Sequence, residues 1–274
     1  MAQVAVQTKA TATANELTAK IATTEDEIKQ AMRLRYEVFA EEENNVQLMN
    51  EKRLERDWFD DLCDHLIVTE ERTNSVVGTY RLLPGKRIGH QYGFYSETEF
   101  QLGELAGIKN RILEVGRSCV APAYRDGRTI QMLWGGIAQY IEKHEYDMLI
   151  GCASVHLSGL KPLNEIYSYL SRKNILTDRY GAEPLETHRI EGLQLLKEGL
   201  PDDQELFRRL PPLMKGYQWL GAEIGADPAF DGVFRTVDFL IVLDRGRITK
   251  RYKRLFSQPI ATAAVLGDRG AADV

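Results

Sequence analysis

The chain has 274 residues and a mass of 31.1 kDa, with 35 basic against 40 acidic side chains and a formal charge of −5. Hydrophobic residues make up 43% and charged residues 27%, which suits one large α/β domain or two small ones and excludes wholesale disorder and a rod. The acidic balance argues against a nucleic-acid binder, no apolar run approaches the roughly 20 residues that cross a bilayer, and MAQVAVQTKATATANELTAK lacks the apolar core of a secretion signal.

Residues 1–16 are rich in Ala, Thr and Gln without periodicity and read as a flexible tail. Leu17 to Ala22 reads as a short strand. Thr24 can cap a helix whose apolar positions Ile28, Met32, Leu34, Val38 and Phe39 follow helical spacing. The polar stretch EEENNVQLMNEKRLERDWFDD is long for a connector, a place where binding work concentrates. His65 to Thr69 and Ser75 to Leu83 read as a hairpin turned at Glu70–Asn74. Residues 84–110 are irregular. Ile112 to Val120 reads as a strand ended by Pro122, and Arg125-Asp-Gly-Arg-Thr129 leads into a helix from Ile130 to about Glu145. Met148 to Ala153 reads as a buried strand, followed by helices over about 159–172 and 188–197, a late strand from Phe234 to Leu243 and a basic helix. Residues 257–274 read as a second loose tail. This order gives an α/β or α+β fold, a mixed sheet packed by helices.

Several groups of residues can carry chemistry. Arg35 and Phe39, four apart, share one helix face. Asp57, Asp60, Asp61 and Asp64 crowd four carboxylates into eight positions, and they repel unless a cationic acceptor or arginines sit nearby. Arg81 stands among strand apolar residues and needs a carboxylate partner if it is buried. Glu114 and Arg117 are three apart on a strand and share a face only if a bulge intervenes, which Gly116 permits. Arg125, Gly127, Arg128 and Thr129 at a helix start suit a phosphate. From Arg245 to Arg254 the chain carries Arg245, Arg247, Lys250, Arg251, Lys253 and Arg254 with no acid, a patch for anionic lipid or an acidic carrier protein. No second His or Cys stands beside His65 at ligand spacing, so no metal is expected. Cys63, Cys119 and Cys152 sit far apart and read as reduced cysteines of a cytoplasmic protein, with Cys119 in strand packing.

Taken in order, RLRYEVF, DWFDDLCDHLIV, VVGTYRLLP, ILEVGRSCVAPAYRDGRTI, LWGGIAQYI and LIGCAS resemble the GNAT-like N-acyltransferases that make lyso-ornithine lipid, often labelled hemolysin-like. The same skeleton is shared more distantly with acyl-homoserine-lactone synthases. The resemblance is strong over about residues 25–155. It implies one acyltransferase domain over 17–256, with a mostly antiparallel sheet, helices on both faces and a splayed central strand. It implies an acceptor pocket with an ion-pair network of Arg35, Asp57, Asp60, Arg81, Glu114 and Arg117 beside Phe39, in which Glu114 is the base.

The implied reaction moves a 3-hydroxy fatty acyl group from acyl carrier protein to the α-amine of an amino acid, L-ornithine first among the acceptors. Arg81 or Arg117 would hold the acceptor carboxylate, and Asp57 and Asp60 would read a side-chain cation or anchor the arginines. No bound cofactor is implied; the phosphopantetheine arm of the carrier is part of the donor, and it would lie on Arg125, Gly127, Arg128 and Thr129. Arg247, Lys250, Arg251, Lys253 and Arg254 would dock the carrier or the inner face of the membrane. Tyr124 and Thr129 depart from the GNAT pyrophosphate turn in its first and last positions. That departure counts against a coenzyme A-dependent acetyltransferase. Glycine remains an alternative acceptor. A non-catalytic acyl-binding or membrane-associated regulator is the reading from another class, and Glu114 with its arginines counts against it.

Overall fold

The computed structural model describes residues 16–88 and 92–248. Ten strands run in chain order: β1 Leu17–Ile21, β2 Asp64–Glu70, β3 Ser75–Pro84, β4 Phe100–Gln101, β5 Ile112–Val120, β6 Met148–Val155, β7 Glu183–Pro184, β8 Glu223–Ile224, β9 Ala229–Asp231 and β10 Thr236–Asp244. The helices are α1 Glu25–Tyr36, α2 Arg128–His144, α3 Leu160–Arg172, α4 Asp203–Arg209 and α5 Pro212–Leu220. The main sheet has the order β1-β2-β3-β5-β6-β10-β8, with β9 also on β10, while β4 and β7 pair by themselves. Every neighbouring pair in the main sheet is antiparallel except β5 and β6. The hairpin expected at Glu70–Asn74 is the β2–β3 turn.

Strand alternation divides the core between two faces. Leu66 and Val68 of β2 join Leu133, Ile137 and Tyr140 of α2 on one face, where α3, α4 and α5 also pack. Ile67, between them, turns to the other face with Ala31 and Leu34 of α1. Beside that second cluster, Leu240 and Val242 of β10 pack with Phe94, Phe100 and Leu105 from the irregular 84–110 segment. Thr24 caps α1 through a reciprocal pair: its hydroxyl accepts from Glu27 N and the Glu27 carboxylate accepts from Thr24 N. Beyond Tyr36 the helix widens into a π turn over Glu37–Glu42, which carries Val38 and Phe39. Among the described residues no helix is long and apolar enough to cross a membrane.

The central strands diverge. β5 and β6 pair in parallel only at Ile112↔Met148, Leu113↔Leu149 and Glu114↔Ile150. Opposite β3 the register runs from Arg81↔Gly116 to Thr79↔Cys119, so Arg117 and Ser118 together face Tyr80 alone. The extra residue is a β-bulge. Its turning residue is Arg117, at φ 52°, and not Gly116 as the sequence suggested.

One further expectation needs correction. Residues 188–197 form no helix. Side chains of α3 hold that backbone instead: Asn164 Nδ2 donates to Gly192 O, Gln194 N donates to Asn164 Oδ1, and Leu196 N donates to Ser168 Oγ. The helices of this region lie later, as α4 and α5. Asp202 caps α4 by accepting from Gln204 N and Glu205 N, and α5 begins on Pro212 and stops at Gly221, φ 93°. Tail residues 1–15 and 257–274, and Lys250, Arg251, Lys253 and Arg254 of the basic run, lie outside the described residues.

Gly151 sits where β5 and β6 part, and a Cβ there would meet Val115 O at 2.3 Å. Backbone cannot yield as a side chain can. Gly151→Ala is therefore expected to destabilise by about 1–3 kcal/mol, read as a lower denaturant midpoint at unchanged slope.

Candidate active site

Three arginines and three carboxylates form a buried network beneath the divergence. Arg35 is fully buried on α1. Its Nη1 and Nη2 donate to the two oxygens of Asp60 at 2.7 and 2.9 Å, Nη2 also donates to Glu55 O, and Nε lies 2.5 Å from Glu55 Oε2. Arg81 Nη1 meets Asp57 Oδ1 at 2.6 Å and Asp60 Oδ2 at 3.6 Å. Arg117 bonds Glu55 Oε1 at 3.0 Å and Asp57 Oδ2 at 3.1 Å. Asp57 and Asp60 also close a capping box on the turn Trp58–Asp61, with Asp57 N donating to Asp60 Oδ2. Pairing with Arg35 and Arg81 outweighs burial and holds the Asp60 carboxyl well below the usual carboxylate range. Beside it, burial pushes the His65 imidazole down to about 4, so His65 stays neutral. The acidic stretch thus anchors arginines, one of the two readings open to the sequence.

Above this network lies a cavity of about 280 Å³ lined by Phe39, Arg81, Glu114, Gly116 and Arg117, with Tyr80, Tyr95, Ser118, Tyr217 and Phe234. Arg35, Asp57 and Asp60 are not in its wall, so they position other groups. The bulge brings Glu114 and Arg117 to one cavity, as the sequence required. The Arg117 guanidinium lies between the rings of Tyr95 and Phe234, at 4.5 and 4.4 Å from their centroids. These contacts hold a non-glycine residue in the left-handed region, a strain that persists only where the surroundings impose it. Gly116 has a different use: a Cβ there would meet nothing within 4 Å, so its missing side chain is open cavity.

Glu114 is buried, and its carboxylate accepts from Tyr95 N at 2.6 Å, Ser96 N at 2.7 Å and Ser96 Oγ at 2.5 Å. Burial raises its carboxyl, against the pull of those three bonds and of Arg81.

An apolar groove of about 770 Å³ adjoins the cavity and shares Phe39, Glu43, Ser118, Pro211 and Leu213 with it. Trp134, Ile130, Leu220 and Trp219 help line the rest. Tyr217 lines the cavity and packs against a residue of the groove wall. Its hydroxyl lies 2.9 Å from that of Tyr80, and its ring packs edge-on to Trp134 with centroids 4.8 Å apart.

The start of α2 borders this groove through Arg125 and Gly127, the latter at φ 96°. Arg125 is held by both oxygens of Glu42 at 2.6 Å, and Arg128 by Asp126 at 2.9 Å. Thr129 is fully buried, its methyl facing Gly78, and so its side chain does not reach the groove as a phosphate ligand would. Of the basic run, Arg245 and Arg247 are described, and Arg247 pairs with Glu223 at 2.7 Å. Cys119 is buried and burial raises its thiol, which fits packing.

Residues 34–135 match the acetyltransferase (GNAT) domain. The chain is 36% identical over 250 residues to the L-ornithine N(alpha)-acyltransferase of Brucella abortus (strain 2308), covering 86% of this chain and 87% of that one. The chain belongs to this acyltransferase family. The L-ornithine N(alpha)-acyltransferase of Rhizobium meliloti (strain 1021) is 37% identical, with 86% of this chain and 82% of that one covered. A CoA-dependent acyl-homoserine lactone synthase shares the fold, at a TM-score of 0.50 and 16% identity, over 88% of this chain and 90% of that one.

The sequence named Arg35, Asp57, Asp60, Arg81 and Arg117 of the ion-pair network but missed Glu55, and Glu114, expected within it, is held by Tyr95 N and Ser96 instead of by an arginine. It also missed a second group of carboxylates at the cavity. Asp231 and Asp238 line its wall with Cys152 and Ser154, and Glu99 lies just behind them. Burial pushes the Glu99 carboxyl up to about 9, with the charges of Asp238 and Asp231 adding to it; burial pushes Asp238 up to about 6. Glu99 comes from a turn and Asp231 and Asp238 from the two strands of the β9–β10 hairpin, more than a hundred positions later, so no local pattern joins them.

Two outcomes are expected. Arg35→Ala leaves Asp60 and Glu55 buried without their main partner and should destabilise by about 3–5 kcal/mol in equilibrium unfolding. For Glu99 the folded state favours the neutral form, so its contribution is fully present below pH 4.5 and is lost as pH rises toward 9. Glu99→Gln should therefore gain stability on the wild type through that window, by up to about 1.4 kcal/mol per pH unit. A gap that stays constant from pH 5 to 9 contradicts this.

Proposed function

We propose that the protein transfers a fatty acyl group from acyl carrier protein to the α-amine of L-ornithine, forming an amide. The observation that carries the reading is the adjacent pair of spaces, an apolar groove that shares part of its wall with a cavity holding a buried carboxylate and two arginines. The groove suits an acyl chain and the cavity an amino acid. Family membership supports the acceptor, since the relatives are named for acyl transfer to L-ornithine.

The steps follow from the wall. An α-amine titrates near pH ~8 and must be neutral to attack a thioester. Glu114 accepts its proton; three donors occupy three of its roughly four acceptor positions, and the raised carboxyl makes it the stronger base. Nitrogen then bonds the thioester carbon while the oxygen takes negative charge. Backbone N–H groups at the Arg117–Ser118 bulge, beyond the last β6 pairing, stabilise that charge. The oxyanion collapses, the C–S bond breaks, and the second proton of the amine nitrogen passes to the leaving thiolate through the hydroxyl pair Tyr80–Tyr217 in the cavity wall, which gives one proton and takes one back. Arg81 or Arg117 faces the acceptor carboxylate.

Carrier protein is favoured over coenzyme A because both arginines at the start of α2 are already paired with carboxylates and Thr129 is buried. A single phosphopantetheine phosphate asks less of this turn than a pyrophosphate. The docking role of Arg247, Lys250, Arg251, Lys253 and Arg254, toward carrier or toward anionic lipid at the inner face of the membrane, belongs to the same proposal.

The purified enzyme should show a kcat/KM at least tenfold higher with acyl carrier protein than with the matching acyl-coenzyme A, and equal efficiencies would contradict the donor. Glu114→Gln should lower kcat about 100-fold or more. Because an amide NH2 would face N–H donors at Tyr95 or Ser96, it should also lower stability by about 1–3 kcal/mol. Transfer within threefold of wild type at neutral pH would exclude Glu114 as base.

A further inference from the structure

The cavity wall presents two arginines, Arg81 and Arg117, and apart from them the carboxylates Asp231 and Asp238. The arginines are balanced by Glu55, Asp57 and Asp60, with Arg35 below. Asp231 and Asp238 line the wall and a Glu99 oxygen lies within 4.8 Å of Asp238, with no ion pair to any of the three among the described residues. The groups around them are Tyr95, Cys152, Ser154, Thr236, Glu114 and Arg117. Among these described groups only Arg117 is cationic, and it already serves Glu55 and Asp57.

The hydrogen bonds of this acidic group are unequal. Asp231 Oδ1 caps its own turn, accepting from Val233 N and Phe234 N, and Oδ2 accepts from Tyr95 Oη at 3.2 Å. Asp238 Oδ1 accepts from Thr236 Oγ1 at 2.7 Å. Glu99 is 2% exposed, and neither of its carboxylate oxygens has a hydrogen-bond partner. Its oxygen, an Asp238 oxygen and Cys152 Sγ lie within 4.8 Å of one another. A buried carboxyl without a donor is costly, and it is kept where a ligand supplies the donors.

We propose that Asp231, Asp238 and Glu99 form a recess that receives the side-chain ammonium of the acceptor amino acid. This inference rests on the acyl-transfer reading above. An alkylammonium carries three N–H donors and one positive charge; it supplies donors to the unpartnered oxygens of Glu99 and to the remaining acceptor positions of Asp231 and Asp238, and its charge draws the Glu99 carboxyl into the ionised form. With the acceptor's carboxylate at the arginines and its side-chain cation in this recess, the α-amine lies between them, on the side of Glu114. The recess then does two things: it selects a basic side chain, and it keeps the second amine charged, so that only the α-amine attacks. A neutral side chain of equal length would leave the recess unsatisfied, a large penalty in discrimination.

The test compares L-ornithine with L-norleucine, which puts a methyl where ornithine has its ammonium. Wild type should favour ornithine by about 100-fold or more in kcat/KM. Asp238→Asn, which keeps an oxygen for Thr236, and Glu99→Gln, which removes the carboxyl that would ionise against the bound ammonium, should each cut the ornithine-to-norleucine ratio at least tenfold, mainly through KM for ornithine. A ratio that does not move, whether both substrates fall together or neither does, overturns the recess while leaving the acyl transfer to ornithine intact. Titration of L-ornithine into donor-free protein reads the recess even if no transfer occurs: weakening by tenfold or more in the variants supports it, and an unchanged Kd overturns it.

Discussion

The Arg35 guanidinium has no water to fall back on. Buried completely under β2 and β5, it has to be matched by Asp60 and Glu55, and those carboxylates extend the match to Arg81 and Arg117. Three cations meet three anions, so the network is close to neutral and costs less to bury than any of its members alone. Its geometry fixes more than charge. The turn carrying Asp57 and Asp60 is capped by those residues, the helix carrying Arg35 is tied to that turn, and Arg117 is held with a left-handed backbone at the bulge of β5. Removing one partner therefore disturbs the strand divergence on which the cavity depends.

The divergence converts a sheet into a site. Where β5 parts from β6, backbone groups and side chains that would have paired across a ladder instead face open space. One side of that space is apolar and joins a groove bordered by α2 and α5; the other holds carboxylates and arginines. A thioester carrying a long chain and a small charged amine are brought together by surfaces of opposite character, which is what amide formation between them requires. The rings of Tyr95 and Phe234 enclose the Arg117 guanidinium, and Phe39, which lines both spaces, packs edge-on to Phe234.

Much of this was legible in the sequence because it is local. Thr24 with Glu27 announces a helix start, alternation in VVGTYRLLP and ILEVGRSCV announces strands, and an arginine inside such a strand calls for a carboxylate elsewhere. Even the need for a bulge between Glu114 and Arg117 follows from strand period alone. Its placement on Gly116 did not hold, because ion pairs and ring stacking fix Arg117 more strongly than local preference fixes a glycine. Residues 188–197 have helical spacing, but hydrogen bonds from Asn164 and Ser168 take their backbone. The acidic group of Glu99, Asp231 and Asp238 and the Tyr80–Tyr217 pair escaped entirely, since tertiary contact alone assembles them.

The central claim is that the charged cavity presents one particular nitrogen of the acceptor to the thioester. The direct measurement uses L-ornithine labelled with ¹⁵N at the α position alone, acyl carrier protein charged with a 3-hydroxy fatty acid, and tandem mass spectrometry of the product. The account predicts a single N-acyl ornithine whose acyl-bearing amide fragment retains the label and whose free amine does not. An unlabelled amide nitrogen, or no acylated ornithine at all from a folded enzyme, would contradict it.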